Sequence, residues 1–193
     1  MKGFKNNFLL AVFLSAISFL LSCQTASENK TVTGDSANSK NIFSASNSEM
    51  LSKPDNWVND NENILNDSSI AQLTKLITDW RDRTAVEIGV VTTASYAPYD
   101  SITAYSIALG NQWGIGQKEI NNGILIVVST TQREVRISTG LGMEQLLTDD
   151  MCHQVVYDKI LPSFKKGNYP EGIINGVKEI IRLLEAQMHQ VKM

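Results

Sequence analysis

The 193-residue chain has only two cysteines, Cys23 and Cys152. That excludes a disulfide-stapled scaffold and a four-thiolate zinc site. Arginine is scarce too: there are five, and none lies in a basic run. Lys+Arg 17 against Asp+Glu 20 leaves a net charge of -3, so the clustered cations that bind a phosphate backbone are missing and no nucleic-acid partner is expected. The chain has no Gly-x-Ser-x-Gly, no glycine loop ending in Lys-Ser or Lys-Thr and no His-Glu-x-x-His, the usual marks of an esterase elbow, a nucleotide loop and a zinc peptidase. The longest apolar run falls short of the roughly 20 residues that span a bilayer. What is present is a chain 42% apolar and 19% charged, which can bury a core in one domain with appendages.

The first residues set an expected compartment. Lys2 and Lys5 precede a 14-residue apolar run, Phe8 to Leu21, broken only by Ser15 and Ser18. That is the length of a secretory signal peptide's apolar region. The run ends Leu20-Leu21-Ser22-Cys23, which resembles a bacterial lipobox. Residues 1–22 are therefore expected to be a lipoprotein signal peptide and Cys23 the lipidated mature N-terminus, anchored to a membrane of the bacterial envelope. Acyl chains such as palmitate contribute about 0.8 kcal/mol per buried methylene. Losing Lys2 and Lys5 leaves 15 basic against 20 acidic residues, a net of -5. Between residues 24 and 50, 14 of 27 are Ser, Thr, Asn or Gln, too polar to offset the entropy of ordering. Residues 23–53 thus read as a lipidated cysteine and a disordered tether, ahead of a domain at 54–188.

Within that domain, Asp67 is placed to cap a helix with Ile70, Leu73, Ile77 and Trp80 on one face. Residues 85–92 read as a strand. Asp100 is placed to cap a second helix carrying Ile102, Tyr105, Leu109 and Trp113. Ile124 to Val128 is apolar throughout, as in a central strand buried on both faces. After a turn at 129–132, residues 133–138 alternate and pair back as a hairpin. Thr148 opens a third helix ending near Pro162, and Pro170 starts a fourth. This order predicts an α/β fold, with a small mixed sheet made of a parallel βαβ unit plus a hairpin, and a C-terminal helical pair.

Two segments stand apart from the core pattern. One is Gly114-Ile115-Gly116 with Asn121-Asn122-Gly123. The other is Gly140-Leu141-Gly142-Met143-Glu144, followed by Thr148-Asp149-Asp150. A hairpin sets the start of its first strand beside the end of its second, so Asn121 and Asn122 should share a sheet end with Glu144, and Asp149 should lie one short turn on. Oxygen-only side chains of this kind suit a hard divalent cation, calcium or magnesium. The expected ligands are Glu144 and Asp149, assisted by Asn121 or Asn122. Asp60 could join only if residues 58–66 double back. A plainer role exists for Asp149 and Asp150, because acids at a helix N-terminus are stabilising by about 0.3–1 kcal/mol without any metal. For Cys152-His153, helical spacing favours a buried thiol beside a solvated imidazole.

These motifs together resemble the TPM-domain family. The residues that carry the likeness are Val58-Asn59-Asp60 with Ile64-Leu65, then Trp113-Gly114-Ile115-Gly116 and Asn121-Asn122-Gly123-Ile124-Leu125. They continue with Val135 to Glu144, Leu147-Thr148-Asp149, and Pro162-x-Phe164 with Gly167-Asn168-Tyr169 and Gly172-Ile173. The likeness runs over about residues 57 to 185. Two positions depart from it: Glu62-Asn63 stand where the family has a small residue and glycine, and Asp150 stands where it has a small residue. The resemblance implies a three-layer α/β/α sandwich, usually tethered to a membrane, with acidic residues able to bind a divalent cation. Some members are described as phosphatases, and others act as accessory factors in assembling or repairing membrane complexes.

Glu144, Asp149 and Asp150 repel a phosphate dianion, so phosphomonoester hydrolysis there would need a bound cation to reverse the field and activate water. The expected function is therefore a membrane-tethered envelope accessory module with an acidic divalent-cation site, aiding assembly or maintenance of a membrane protein complex. The alternative is a divalent-cation-dependent acid phosphatase. Cys23→Ser is expected to move the protein from the membrane pellet to the soluble fraction on cell fractionation. An unchanged pellet would place the anchor elsewhere.

Overall fold

Strand β3, Gly123–Ser129, is buried at every residue, as its apolar run requires. The computed structural model that shows this describes Lys53 and residues 57–191. The expected signal peptide, Cys23 and the tether up to residue 52 lie outside the described residues. In chain order the elements are β1 (Val58–Asp60), α1 (Asp67–Thr84), β2 (Glu87–Thr92), α2 (Ile102–Trp113), β3, β4 (Glu134–Thr139), α3 (Asp149–Val155), a π-helical turn (Val156–Ile160), α4 (Leu161–Phe164) and α5 (Tyr169–Val191).

The sheet order is β1-β2-β3-β4. β1 and β3 both run parallel to β2, with Val58 opposite Val90 and Ile88 opposite Ile124. β4 returns antiparallel to β3, with Ile126 opposite Ile137. One face carries Ile88, Val90, Ile124, Ile126 and Ile137 against Leu73, Ile77 and Trp80 of α1, Val177 and Ile180 of α5, and Cys152, Val155 and Ile160. The other face carries Val91, Leu125 and Val127 under Ile102, Tyr105, Leu109 and Trp113 of α2. The result is the expected three-layer α/β/α arrangement.

Three details differ from the sequence expectation. β1 was not anticipated, because three residues with one buried apolar side chain, Val58, are too short to show a period. The helix caps fall one residue away from the aspartates: Asn66 accepts from the Ser69 N–H at 2.8 Å and Ser101 from the Ala104 N–H at 3.2 Å. Asn66 and Ser101 are extended, as a cap must be, while Asp67 sits in the first turn where the helix dipole favours it. Finally, Pro162 does not end the third helix. The chain stays helical through the π turn, and Pro162 falls at the start of α4, where a missing N–H is tolerated.

Candidate functional site

The parallel strands give the sheet two distinct ends. At their N-terminal end, Gly123 opens β3 beside the last residue of β4, Thr139, and the Gly140 N–H donates to the Gly123 carbonyl at 2.8 Å. The Gly142 N–H donates to the Asn121 carbonyl at 3.1 Å. A Cβ on Gly142 would land on the Ile120 carbonyl oxygen, so only glycine fits this approach. The hairpin thus brings Asn121 to the Gly140–Glu144 turn. Asn121 and Glu144 both line a cavity of about 340 Å³ whose other walls include Ser106, Ile107, Gly110, Ile115, Ser138 and Leu141.

The remaining candidate ligands are placed elsewhere. Asn122 is buried, and both ends of its amide are used: Oδ1 accepts from the Gln117 N–H at 2.7 Å and Nδ2 donates to the Ala85 carbonyl at 2.8 Å. It ties the loop before β3 to the end of α1. Glu87, which the sequence did not single out, ties the same loop to the start of β2 by accepting from the Gly116 N–H at 2.7 Å. An acid opening an otherwise buried strand was the available signal. Asp149 is 78% exposed, and its carboxylate stands 3.6 Å from Arg136 Nη2. It does not line the Asn121–Glu144 cavity. Asp150 is exposed beside it.

Asp60 lies at the opposite end of the sheet, at the C-terminus of β1. Its Oδ1 accepts from the Ile64 N–H at 3.2 Å and from the Thr92 hydroxyl, and its Oδ2 accepts from the Leu65 N–H at 2.7 Å. Residues 58–66 therefore do not double back to Glu144. Among the described residues, no three of His, Cys, Asp and Glu come together as a metal-ligand group.

A second hollow, about 350 Å³, lies along β4. Arg133, Arg136, His153 and Tyr157 line it with Ile102, Thr103, Val135, Ile137 and Cys152. Cys152 is buried and free. Burial chiefly, and then Asp149, push its thiol up to about 11 against the opposing pull of Arg136. At neutral pH it is a protonated thiol and not a nucleophile.

The comparisons with known proteins fit this geometry. The model of the TPM domain matches residues 58–183. The chain belongs to the TPM-domain family. A solution NMR structure of the N-terminal domain of a P. gingivalis protein is similar at 31% identity and TM-score 0.65, covering 72% of this chain and 88% of that one. The BA42 protein of the psychrophilic bacterium Bizionia argentinensis shares the fold at 20% identity and TM-score 0.57, covering 66% of this chain and 86% of its own. The N-terminal domain of the cg2496 protein of Corynebacterium glutamicum does so at 15% identity and TM-score 0.53, covering 66% and 79%. No curated protein matches the sequence.

The structure also accounts for this TPM domain's departure at Glu62-Asn63. Asn63 has a φ of 53°, the left-handed region that glycine fills freely and asparagine tolerates best among the rest. Glu62 accepts from the Thr130 N–H and hydroxyl at 2.9 and 2.8 Å and from the Thr131 N–H and hydroxyl at 3.2 and 3.0 Å. It staples the β1–α1 loop to the β3–β4 turn. Glu62→Ala is expected to cost about 2 kcal/mol, the range for hydrogen bonds to a charged group, and Asn63→Gly a few tenths at most. Urea melts of the two variants check this. Equal midpoints would mean that the staple adds nothing.

Proposed function

We propose that this TPM domain is a lipid-tethered docking module of the bacterial envelope, an accessory to a membrane protein complex. The observation that carries the reading is the apolar rim at the Asn121–Glu144 end. Ile107, Ile120 and Leu141 are 54%, 53% and 75% exposed, and Ile107 and Leu141 wall the cavity that holds Asn121 and Glu144. Large apolar side chains gathered around a hollow are the mark of a surface that another protein covers. Among the described residues no helix is long and apolar enough to cross a membrane. In this reading, attachment comes from lipid on Cys23 and selectivity from the rim.

Calcium or magnesium has a place in this reading as a bridge. Glu144 and Asn121 offer one carboxylate and one amide oxygen. Calcium takes six to eight oxygens, so water and the partner's own carboxylates or carbonyls would supply the rest. Asp149 can join only by leaving Arg136.

The test is a photo-crosslinking residue placed at Leu141 in cells, with Lys75 on the outer face of α1 as control. The expected result is a discrete adduct in the membrane fraction from position 141 and none from 75. The alternative predicts something else: cation-stimulated turnover of p-nitrophenyl phosphate that Glu144→Gln or Asp149→Ala abolishes. That turnover, with no adduct at 141, would replace the docking reading with the phosphatase.

A further inference from the structure

The cavity at the Asn121–Glu144 end holds one charge. Glu144 is the single charged residue in its walls, and no Lys, Arg or His lines it. Glu144 itself forms no ion pair among the described residues. It is an exposed carboxylate with nothing set against it.

The neighbouring polar groups are acceptors as well. Ser106 Oγ donates to the Thr103 carbonyl at 2.9 Å and lies 2.7 Å from Ser138 Oγ. A hydroxyl has one hydrogen. That of Ser106 is spent on Thr103, so Ser138 donates to Ser106 and keeps its own lone pairs for another donor. Asn121 adds an amide oxygen, and the exposed Ile107 and Leu141 add aliphatic walls.

This lining discriminates between cations. Calcium takes six to eight oxygens, more than Glu144, Ser138 and Asn121 provide. An ammonium has three donors and no acceptor, which matches them in number. A guanidinium carries its donors in one rigid plane. Here the acceptors come from three places, the loop before β3, the end of β4 and the turn after it, an arrangement that suits a point charge. An aliphatic stem that ends in a cation lies along apolar surface while its head reaches polar groups, as Ile107 and Leu141 beside Glu144 allow.

We propose that the partner docked on this rim inserts a lysine side chain into the cavity. Its ammonium sits among Glu144, Ser138 and Asn121, and its methylenes lie against Ile107 and Leu141. The proposal rests on the docking reading and names the chemistry of its central contact. The ammonium takes the place of a bridging metal, so the two exclude each other.

The probe is a set of capped tripeptides, acetyl-Ala-X-Ala-amide, with lysine, arginine, norleucine or Nε-acetyl-lysine at X. Each is titrated into the full-length protein in non-ionic detergent, with amide NMR shifts as the readout. The lysine peptide is expected to bind about tenfold tighter than the norleucine and acetyl-lysine peptides, and tighter than the arginine peptide. Shifts are expected at residues 106–111 and 138–144. Glu144→Gln should bring lysine down to the level of norleucine. If that variant does not fold, the peptide series on the wild type decides. Lysine no tighter than norleucine or arginine, shifts confined to other residues, or no saturable binding would each overturn the proposal. The photo-adduct at Leu141 is read separately. An adduct there without lysine preference keeps the docking surface and removes the lysine. Lysine preference without the adduct overturns the docking reading, and the partner's lysine with it.

Discussion

Burial of β3 on both faces is the constraint on which the rest of this TPM domain depends. Seven consecutive buried residues require a helical layer on each side, because half-covered Ile124 and Leu125 would leave apolar surface in water. α2 meets that demand on one face, lying across β3 and β4. α1, α5 and the π turn meet it on the other. With both faces closed, the chemistry of the sheet is confined to its two ends and the hollow along β4. The conspicuous motifs of the sequence sit there because the strands themselves have no room for them.

At both ends, acids and amides serve chiefly as backbone acceptors and donors. Asp60, Glu62, Glu87 and Asn122 each bind main-chain groups of loops that would otherwise leave polar atoms unsatisfied as they pass over the core. A carboxylate has about four lone-pair sites, and Asp60 commits three of them. Such a residue is better suited to fixing a loop than to holding a cation. Glu144 differs, since it is exposed and faces a cavity.

The sequence made the helices, the buried central strand and the hairpin legible, because each spans enough residues for its period to show. It also carried the contact between Asn121 and the Gly140 turn, which follows from hairpin pairing alone. The missed features depend on distances across the fold. Nothing local separates Asn121, whose side chain is exposed, from Asn122, whose amide is consumed by Gln117 and Ala85. β1 exists because β2 offers an edge to Val58, not because three residues prefer to be extended. Arg136 alternates as a solvent-facing residue should, and only the closeness of α3 covers it.

Arg136 also bears on why the β4 edge is stable in the free protein. An uncovered edge strand invites pairing with any other chain, and proteins guard such edges with charge. The Arg136 side chain is 27% exposed and reaches from β4 toward Asp149 at the start of α3, which sets a cation beside Val135 on an edge where Ile137 is already buried. A hydrophobic strand meets a desolvation cost there, because nothing it carries replaces the water and the Asp149 carboxylate around the guanidinium. One charged side chain therefore adds to the burial of Ile137 in closing this edge to indiscriminate strands.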